Sequence, residues 1–286
     1  MILGRTFSSC RSLMRRRKRQ SNNNTTTPTR AGKTENLYGI HAVASALEWK
    51  KRRGFQRLYT VPKNERNASV ERVVKMAAKA RIPVSEMGRK GLAGMAPHPQ
   101  GVVLECDRYP TATADRHELA SLLEEQPGRV AAVALDGVTD PVNVGSVIRS
   151  AAFYGVSLVL VPPRKSAPMS PVVAHVAAGG LDAVRVIVLD SFASSLKSVA
   201  SRDNISIVAS ALHPSSVPLT SLPPFPSQSS KCVLVLGSED KGVRAPIVES
   251  ADLCVAITPS PSSRSLVQSL NVNTAAATLL HTLSHL

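Results

Sequence analysis

The sequence predicts an α/β protein in which a parallel sheet is covered by helices and is preceded by a smaller α/β unit. Two patterns lead to this fold class. From residue 129 onward, short apolar runs alternate with segments of helical periodicity, which is typical of a mainly parallel sheet. Before residue 107, two amphipathic helical patterns and two short apolar runs form a separate group. The length of 286 residues accommodates one or two globular domains.

The small unit is predicted over residues 35–106. Its first helix places apolar residues three and four positions apart, and the basic residues 50–53 before Gly54 suit a helix C-terminus. The elements, in order, are a helix from residue 40, a strand over 56–61, a helix over 69–81 and a strand over 101–106. The more polar segment 107–128, which has a short helical pattern near its end, is interpreted as a linker.

The large unit is predicted over residues 129–286. Its strands are expected over 130–135, 156–161, 184–189, 205–211, 232–236 and 253–257. Its helices are expected over 144–154, 171–178, 192–200, 246–250 and 271–283.

Positive charge is concentrated at the N-terminus. The chain has 35 Lys and Arg against 20 Asp and Glu, a formal charge of +15, which predicts a polyanionic partner. Residues 1–34 contain nine of the basic residues and no acidic residue, a composition typical of an organelle transit peptide. We interpret them as a disordered leader that directs the protein to the mitochondrial matrix. A plastid leader, a disordered RNA-binding arm and a nuclear or nucleolar signal in residues 15–19 are the alternatives.

Several other classes of protein are excluded. No apolar stretch approaches the about 18 residues that a membrane-spanning helix needs. The four cysteines have no C-x-x-C spacing, and the seven histidines form no metal-ligand pattern, so we predict neither a disulfide framework nor a metal site.

Parallel α/β sheets usually bind ligands at the carboxyl ends of their strands, and three segments there combine glycine with polar residues. In the first, Asn143 can either cap a helix or face a ligand, and Arg149 follows six residues later. In the second, Gly237 and Gly242 flank Glu239, which suggests close approach to a ligand, although an ordinary glycine-bounded loop has the same pattern. None of the segments is a Walker A, G-x-G-x-x-G or G-x-S-x-G motif.

The third segment places Ser269 and Asn271 before an alanine-rich helix. Both residue types are good N-caps, and capping alone could explain them.

In this order, the three segments resemble the motifs of the SpoU/TrmH family of RNA ribose 2′-O-methyltransferases. They read Asp136-Gly-Val-Thr-Asp-Pro-Val-Asn-Val-Gly-Ser-Val-Ile-Arg-Ser-Ala, Leu234-Val-Leu-Gly-Ser-Glu-Asp-Lys-Gly and Ser269-Leu-Asn-Val-Asn-Thr-Ala-Ala-Ala. The small unit is also similar to the L30e-like substrate-binding domain of the guanosine-specific large-subunit rRNA branch, which includes bacterial RlmB and its mitochondrial counterparts. Tyr38-Gly-Ile-His-Ala-Val and His98-Pro-Gln-Gly-Val-Val-Leu carry that similarity, and the resemblance covers residues 36–286.

The resemblance implies a C-terminal trefoil-knotted methyltransferase domain, a homodimer with its active site near the interface, S-adenosylmethionine as methyl donor and rRNA as substrate. The implied catalytic residues are Asn143, Arg149, Glu239, Ser269 and Asn271. The implied cofactor-binding residues are Leu236, Gly237, Ile257 and Leu270.

The expected roles follow from side-chain chemistry. Arg149 is a poor base because guanidinium stays protonated, so we expect it to grip a phosphate beside the target ribose. Asn143 and Asn271 would orient the ribose and the loops, and Glu239 would hold Arg149 or the base. The basic residues 50–53 are expected to help dock an rRNA stem.

The sequence departs from the family pattern in a few places. Asp240 stands where glycine is usual, Asn273 stands where serine is common, and the loop 258–268 is longer than the usual turn. Two other functions remain open on the same fold: a tRNA 2′-O-methyltransferase, and a catalytically silent RNA-binding factor in ribosome assembly.

Overall fold

The computed structural model describes residues 34–285 except for 201–203, 223–230, 261, 265 and 268. The predicted transit peptide lies outside the described residues apart from Thr34, which begins the first strand. None of the described helices is long and apolar enough to cross a membrane.

The N-terminal residues fold into a four-stranded sheet with helices packed against it. Its strands are β1 (Thr34–Tyr38), β2 (Arg57–Thr60), β3 (Val84–Glu86) and β4 (Val102–Asp107), in the order β1-β4-β2-β3. Its helices are α1 (Ile40–Trp49), α2 (Ala68–Lys79) and α3 (Arg89–Met95), with a short 3₁₀ turn at Lys63–Glu65. The sequence predicts α1, β2, α2 and β4 but not β1, β3 or α3.

The segment 107–128, interpreted above as a linker, is largely part of the second sheet. It contains β5 (Ala112–Ala114) and α4 (Arg116–Glu124). Strand β5 pairs in parallel with a strand of the large sheet, and Asp115 and Glu118 form a capping box at the start of α4. The interpretation as a linker is therefore wrong for residues 112–124. The sequence does not predict β5 because three residues are too few to show a periodicity.

The large sheet is the predicted parallel sheet. Its further strands are β6 (Val130–Asp136), β7 (Leu158–Val161), β8 (Arg185–Leu189), β9 (Ile205–Ser210), β10 (Val217–Pro218), β11 (Lys231–Gly237) and β12 (Leu253–Ala256). The order is β10-β12-β9-β11-β6-β7-β8-β5, and each neighbouring pair is parallel. Its further helices are α5 (Pro141–Phe153), α6 (Pro171–Val176), α7 (Gly180–Ala183), α8 (Phe192–Ala200), α9 (Ala245–Val248) and α10 (Val272–His285).

Both faces of this sheet are covered, which explains why its strands are almost continuously apolar. Along β6, Val133 and Leu135 join a core with α5, α6, α10 and the small domain. The alternate residues Ala132 and Ala134 join a second core with α4, α8 and α9. The predicted α/β fold class is confirmed.

The basic residues 50–53 do not form the free RNA-docking group that the sequence predicts. Helix α1 ends at Trp49, and the side chains of Lys51 and Arg52 turn toward the large domain. Lys51 Nζ donates to the carbonyl of Val184, and Arg52 is only 1% exposed. That expectation is wrong for Lys51 and Arg52, because both lie in the interface between the two domains.

Candidate active site

The three candidate segments meet at one edge of the large sheet because the strands before them are close neighbours. The order β12-β9-β11-β6 brings together the carboxyl ends of the strands that precede all three segments. A cleft of about 600 Å³ opens there, a size typical of small-molecule sites. Leu236, Gly237, Ile257 and Leu270, the residues implied to bind the cofactor, all line it, and so do Glu239 and Ser269.

At the start of α5, Asn143 is free of the capping role that the sequence left open. Asp140 is the N-cap, and its side chain accepts from the backbone N–H of Asn143 at 2.7 Å. Pro141 occupies the first helical turn, where its missing N–H costs nothing. The side chain of Asn143 can therefore reach out of the helix.

The loop after β11 is a tight turn that requires glycine at its base. A Cβ on Gly237 would lie 2.0 Å from the carbonyl carbon of Gly242, a distance at which no side chain fits. The N–H of Gly242 donates to the carbonyl of Ser238 at 2.8 Å, and Gly242 has a φ of 64°. Glu239 is thereby presented at the tip of a closed turn.

Asn271 does two things at the start of α10. Its Oδ1 accepts from the backbone N–H of Asn273 at 3.0 Å, which caps the helix. Its Nδ2 donates to Asn143 Oδ1 at 3.2 Å and also to Oε1 of Glu239. Capping and contact with the site are thus combined in one amide.

Asn143, Glu239 and Asn271 form a closed hydrogen-bonded triangle, which we call the amide–carboxylate cluster. Its third side is the bond from Asn143 Nδ2 to Glu239 Oε1, at 3.2 Å. Two neutral amides therefore donate to one carboxylate oxygen, and residues 96 and 128 positions apart in the chain fix one another. Such a cluster can hold loops and orient a polar ligand.

Arg149 does not join this cluster. Six residues along α5 correspond to a rise of about 9 Å and a rotation of about 120° from Asn143. Its side chain is exposed, and among the described residues no hydrogen bond or ion pair links it to Glu239. Of the two expected roles of Glu239, to hold Arg149 or the base, the first is not seen among the described residues, where the carboxylate contacts the two amides. Ser269 is exposed at the cleft, apart from the cluster.

Several functional candidates were missed from the sequence. Ser210, the last residue of β9, and the three residues after it line the same cleft, and so do Val243 and Ala245. The signal for the first was available, because 205–211 was predicted as a strand and its carboxyl end belongs to the same edge. The contact between Asp136 and Arg244, 108 positions apart, had no such signal.

A small organic cofactor with apolar and charged parts fits the cleft. Leu236 and Val255 give it a buried apolar wall, and Glu239 and Lys241 give it charged groups. Gly237 lets the backbone approach closely. Among the described residues, no group of three or more His, Cys, Asp or Glu side chains could hold a metal ion.

Comparisons with known proteins agree in both domains. Residues 131–281 match the SpoU rRNA methylase family, and residues 37–112 match the family of RNA 2′-O ribose methyltransferase substrate-binding domains. The 23S rRNA (guanosine-2′-O-)-methyltransferase RlmB of Acinetobacter baylyi is 33% identical over 251 residues, 87% of this chain and 96% of that relative. RlmB of Pseudomonas aeruginosa is 32% identical over 248 residues, 86% of this chain and 94% of that relative.

Two solved structures have the same fold. The AdoMet-bound rRNA methyltransferase from Sinorhizobium meliloti superposes with a TM-score of 0.66 at 20% identity, covering 88% of this chain and 87% of its own. The SpoU methyltransferase AviRb from Streptomyces viridochromogenes, in complex with the cofactor AdoMet, also gives 0.66 at 20% identity, covering 88% and 90%. These likenesses confirm the predicted architecture, an α/β domain of the trefoil-knotted class with a small N-terminal domain.

Proposed function

Because the chain belongs to the SpoU rRNA methylase family, we propose that it is an RNA methyltransferase that methylates the 2′ hydroxyl of a guanosine in large-subunit rRNA. The observation that carries this proposal is the similarity of both domains to guanosine-2′-O-methyltransferases over 87% of the chain. We further propose S-adenosylmethionine as the methyl donor, supported by the fit of the cleft and by structural neighbours solved with AdoMet.

Leu236, Gly237, Ile257 and Leu270 would hold the cofactor, which supplies an electrophilic methyl group on a sulfonium. The hydrogen bonds among Asn143, Glu239 and Asn271 fix the loops beside the cofactor-binding residues, and the cluster would orient the ribose for transfer of the methyl group. Positioning of this kind requires no metal.

Arg149 serves this reaction from outside the amide–carboxylate cluster. Its exposed guanidinium can bind the phosphate next to the target ribose with two parallel hydrogen bonds. The hydroxyl proton then passes to that phosphate or to water, because guanidinium does not accept it. Ser269, exposed at the cleft, is a further polar contact for the nucleotide.

Two of the departures from the family pattern, Asp240 and Asn273, are compatible with this role. Asp240 is not among the residues with positive φ, so its backbone does not require glycine. Asn273 donates its N–H to Asn271 Oδ1 and accepts from Thr274 Oγ1 at 3.2 Å, so its side chain serves the start of α10. We propose that neither departure abolishes cofactor binding.

The test is methyl transfer by the purified protein. S-adenosylmethionine with a labelled methyl group is mixed with a large-subunit rRNA fragment and, separately, with tRNA, and the modified nucleoside is identified after digestion. We expect 2′-O-methylguanosine from rRNA only, and loss of transfer in Asn143→Ala. Modification of tRNA alone would favour the tRNA enzyme, and absence of transfer to both RNAs with retained RNA binding would favour the silent assembly factor.

We propose location in the mitochondrial matrix and a homodimer. The acid-free basic leader supports the first, with a plastid or the nucleolus as alternatives. The exposed apolar side chains of Val142 and Phe153 on α5, 49% and 81% exposed, support a subunit contact on that helix. Sequencing of the mature N-terminus tests the location, and light scattering of Phe153→Glu beside the unchanged protein tests the dimer.

A further inference from the structure

Asp136 has a buried carboxylate that neither lines the cleft nor contacts the amide–carboxylate cluster. It is the last residue of β6 and is 2% exposed. A buried carboxylate is unfavourable unless it is paired and hydrogen-bonded. Asp136 meets this need with one residue: it accepts from Arg244 Nε at 2.7 Å and from the backbone N–H of Arg244 at 2.9 Å, and Arg244 Nη2 lies 2.6 Å away.

These contacts fix both ends of the loop that carries Glu239. The loop begins at Gly237, which is the register partner of Asp136 in the β11–β6 ladder. It ends at Arg244, whose backbone and side chain both bind Asp136. The guanidinium also lies over the ring of Phe192, with its carbon 6.0 Å from the ring centroid.

We propose that Asp136 and Arg244 are positioning residues for methyl transfer, which act by holding the Glu239 loop in contact with Asn143 and Asn271. The inference rests on the proposed function. It gives a role to an arginine whose side chain is 52% exposed, although its Nε, its Nη2 and its backbone N–H all contact one buried carboxylate.

Two other roles are outcomes of the test. Arg244 could bind RNA directly with its exposed edge, or the pair could serve only the stability of the domain. A direct RNA contact would raise KM for rRNA, and a purely structural role would lower the fraction of folded enzyme without changing kcat per folded molecule. A positioning role lowers kcat of folded enzyme and leaves KM nearly unchanged.

The experiment uses the full chain and the variants Arg244→Lys and Asp136→Asn. Lysine keeps the charge but lacks the planar fork that supplies Nε and Nη2 together. Asparagine keeps the size and one acceptor oxygen but loses the charge. We expect kcat to fall by roughly tenfold to a hundredfold in each, because small misplacement of reacting groups has effects of that order. The double variant should lose little more than the worse single variant, because the residues act as a pair.

Arg66→Lys is the matched control. Arg66 is also a partly buried arginine bound by Nη2 to a carboxylate, that of Glu86 at 2.7 Å, and by Nε to a backbone carbonyl at 3.1 Å. Arg66 lies in the small domain, away from the cleft, so the kcat of Arg66→Lys should remain within about twofold of the kcat of the unchanged enzyme.

Hydrogen exchange provides a readout that does not depend on activity. The N–H of Gly242, bonded to Ser238, should exchange faster in Arg244→Lys and Asp136→Asn than in Arg66→Lys. Unchanged exchange at Gly242 and unchanged kcat in both variants would overturn the inference, as would multiplicative losses in the double variant or an effect confined to KM. If the unchanged protein transfers no methyl group to any RNA, the proposed function fails, and the exchange experiment still decides the role of the pair.

Discussion

At the scale of single residues, asparagine at position 271 has two properties that no other side chain combines as well. The cap of α10 needs an oxygen acceptor, and Oδ1 provides it; the contact with Glu239 needs a donor, and Nδ2 provides it. Serine could cap but its hydroxyl is too short to bridge to Glu239 and Asn143 together. Aspartate could cap but would place a second carboxylate against the first.

The two roles of Asn271 can be separated by substitution. We expect Asn271→Ala to lose about 1 kcal/mol of unfolding free energy through the missing cap, and to lose methyl transfer. Asn271→Ser should retain the stability, because serine is a good N-cap, and should still lose transfer. Urea unfolding and single-turnover methyl transfer measure the two effects. Near-normal transfer by the serine variant would show that the residue serves only the helix.

Arg149 gives a second prediction at this scale. Arg149→Lys keeps the charge but loses the bidentate fork, so we expect methyl transfer to fall by roughly a hundredfold. RNA affinity should change little, because it is spread over many phosphate contacts. Single-turnover transfer is measured alongside RNA binding at fixed salt. Near-normal transfer would remove Arg149 from the catalytic residues and leave it as a surface charge.

At the scale of elements, the sequence predicts long periodic segments well and short ones poorly. The helix predicted over 192–200 is found at Phe192–Ala200, and the strand predicted over 130–135 is found at Val130–Asp136. β3 and β5 have three residues each, which is less than two periods of any pattern. β1 was missed because its residues are mostly polar and only Leu37 and Tyr38 are buried.

Parts of the candidate site could also be predicted from the sequence, and other parts could not. Residues next to strand ends could be assigned to one edge, since parallel strands align their carboxyl ends. Contacts between distant segments could not, because nothing in the local pattern pairs Asp136 with Arg244 or turns Arg52 inward. The direction of Arg149 relative to Glu239 depends on the rotation of α5, and the spacing alone left that open.

Helices α5 and α6 pack closely at Gly145, which predicts that a larger residue there destabilises the protein. A Cβ on Gly145 would lie 2.8 Å from Cβ of Val176 and 2.9 Å from the carbonyl oxygen of Val173. We expect Gly145→Ala to destabilise the protein by about 1–3 kcal/mol, since the helices must separate. Gly94→Ala in α3 is the control: apart from its chain neighbours and the backbone of its own helix, no atom lies within 4 Å of its Cβ position, and helical alanine should stabilise slightly. Equal effects of the two substitutions in thermal unfolding would contradict the packing argument.

At the scale of the whole molecule, a buried ionic group joins the two domains. Arg52 of the small domain binds Glu35, lies 3.8 Å from Asp182 Oδ1 of the large domain and stacks on Tyr109 at 5.6 Å. The hydroxyl of Tyr109 donates to the carbonyl of Val184 at 2.8 Å. The arrangement fixes the small domain against α7, so the distance between the small domain and the cleft is set by packing.

This ionic group contains two largely buried carboxylates, those of Glu35 and Asp182, and the single charge of Arg52 does not fully compensate both. Burial raises the pKa of Asp182 to about 6, although Arg52 and Lys51 oppose the rise. Burial also raises the pKa of Glu35, and lowers the pKa of Lys51 to about 8. Because the pKa of Asp182 is higher in the folded state, its contribution to stability is fully present below about pH 4 and is lost as the pH rises to about 6.

This imbalance of charge predicts that substitution of Arg52 is costly and that substitution of Asp182 is not. Arg52→Met leaves two buried carboxylates without their cation and should cost about 3–5 kcal/mol at pH 7.5. Asp182→Asn removes the less favourable charge while Glu35 still pairs with Arg52, so it should not destabilise the protein at pH 7.5. Relative to the unchanged protein, Asp182→Asn should become more stable as the pH is raised from 4 to 7, because it lacks the carboxyl that titrates near 6. Urea unfolding of the three proteins across this range measures both effects, and an unchanged difference between Asp182→Asn and the parent from pH 4 to 7 would show that Asp182 does not titrate in the interface.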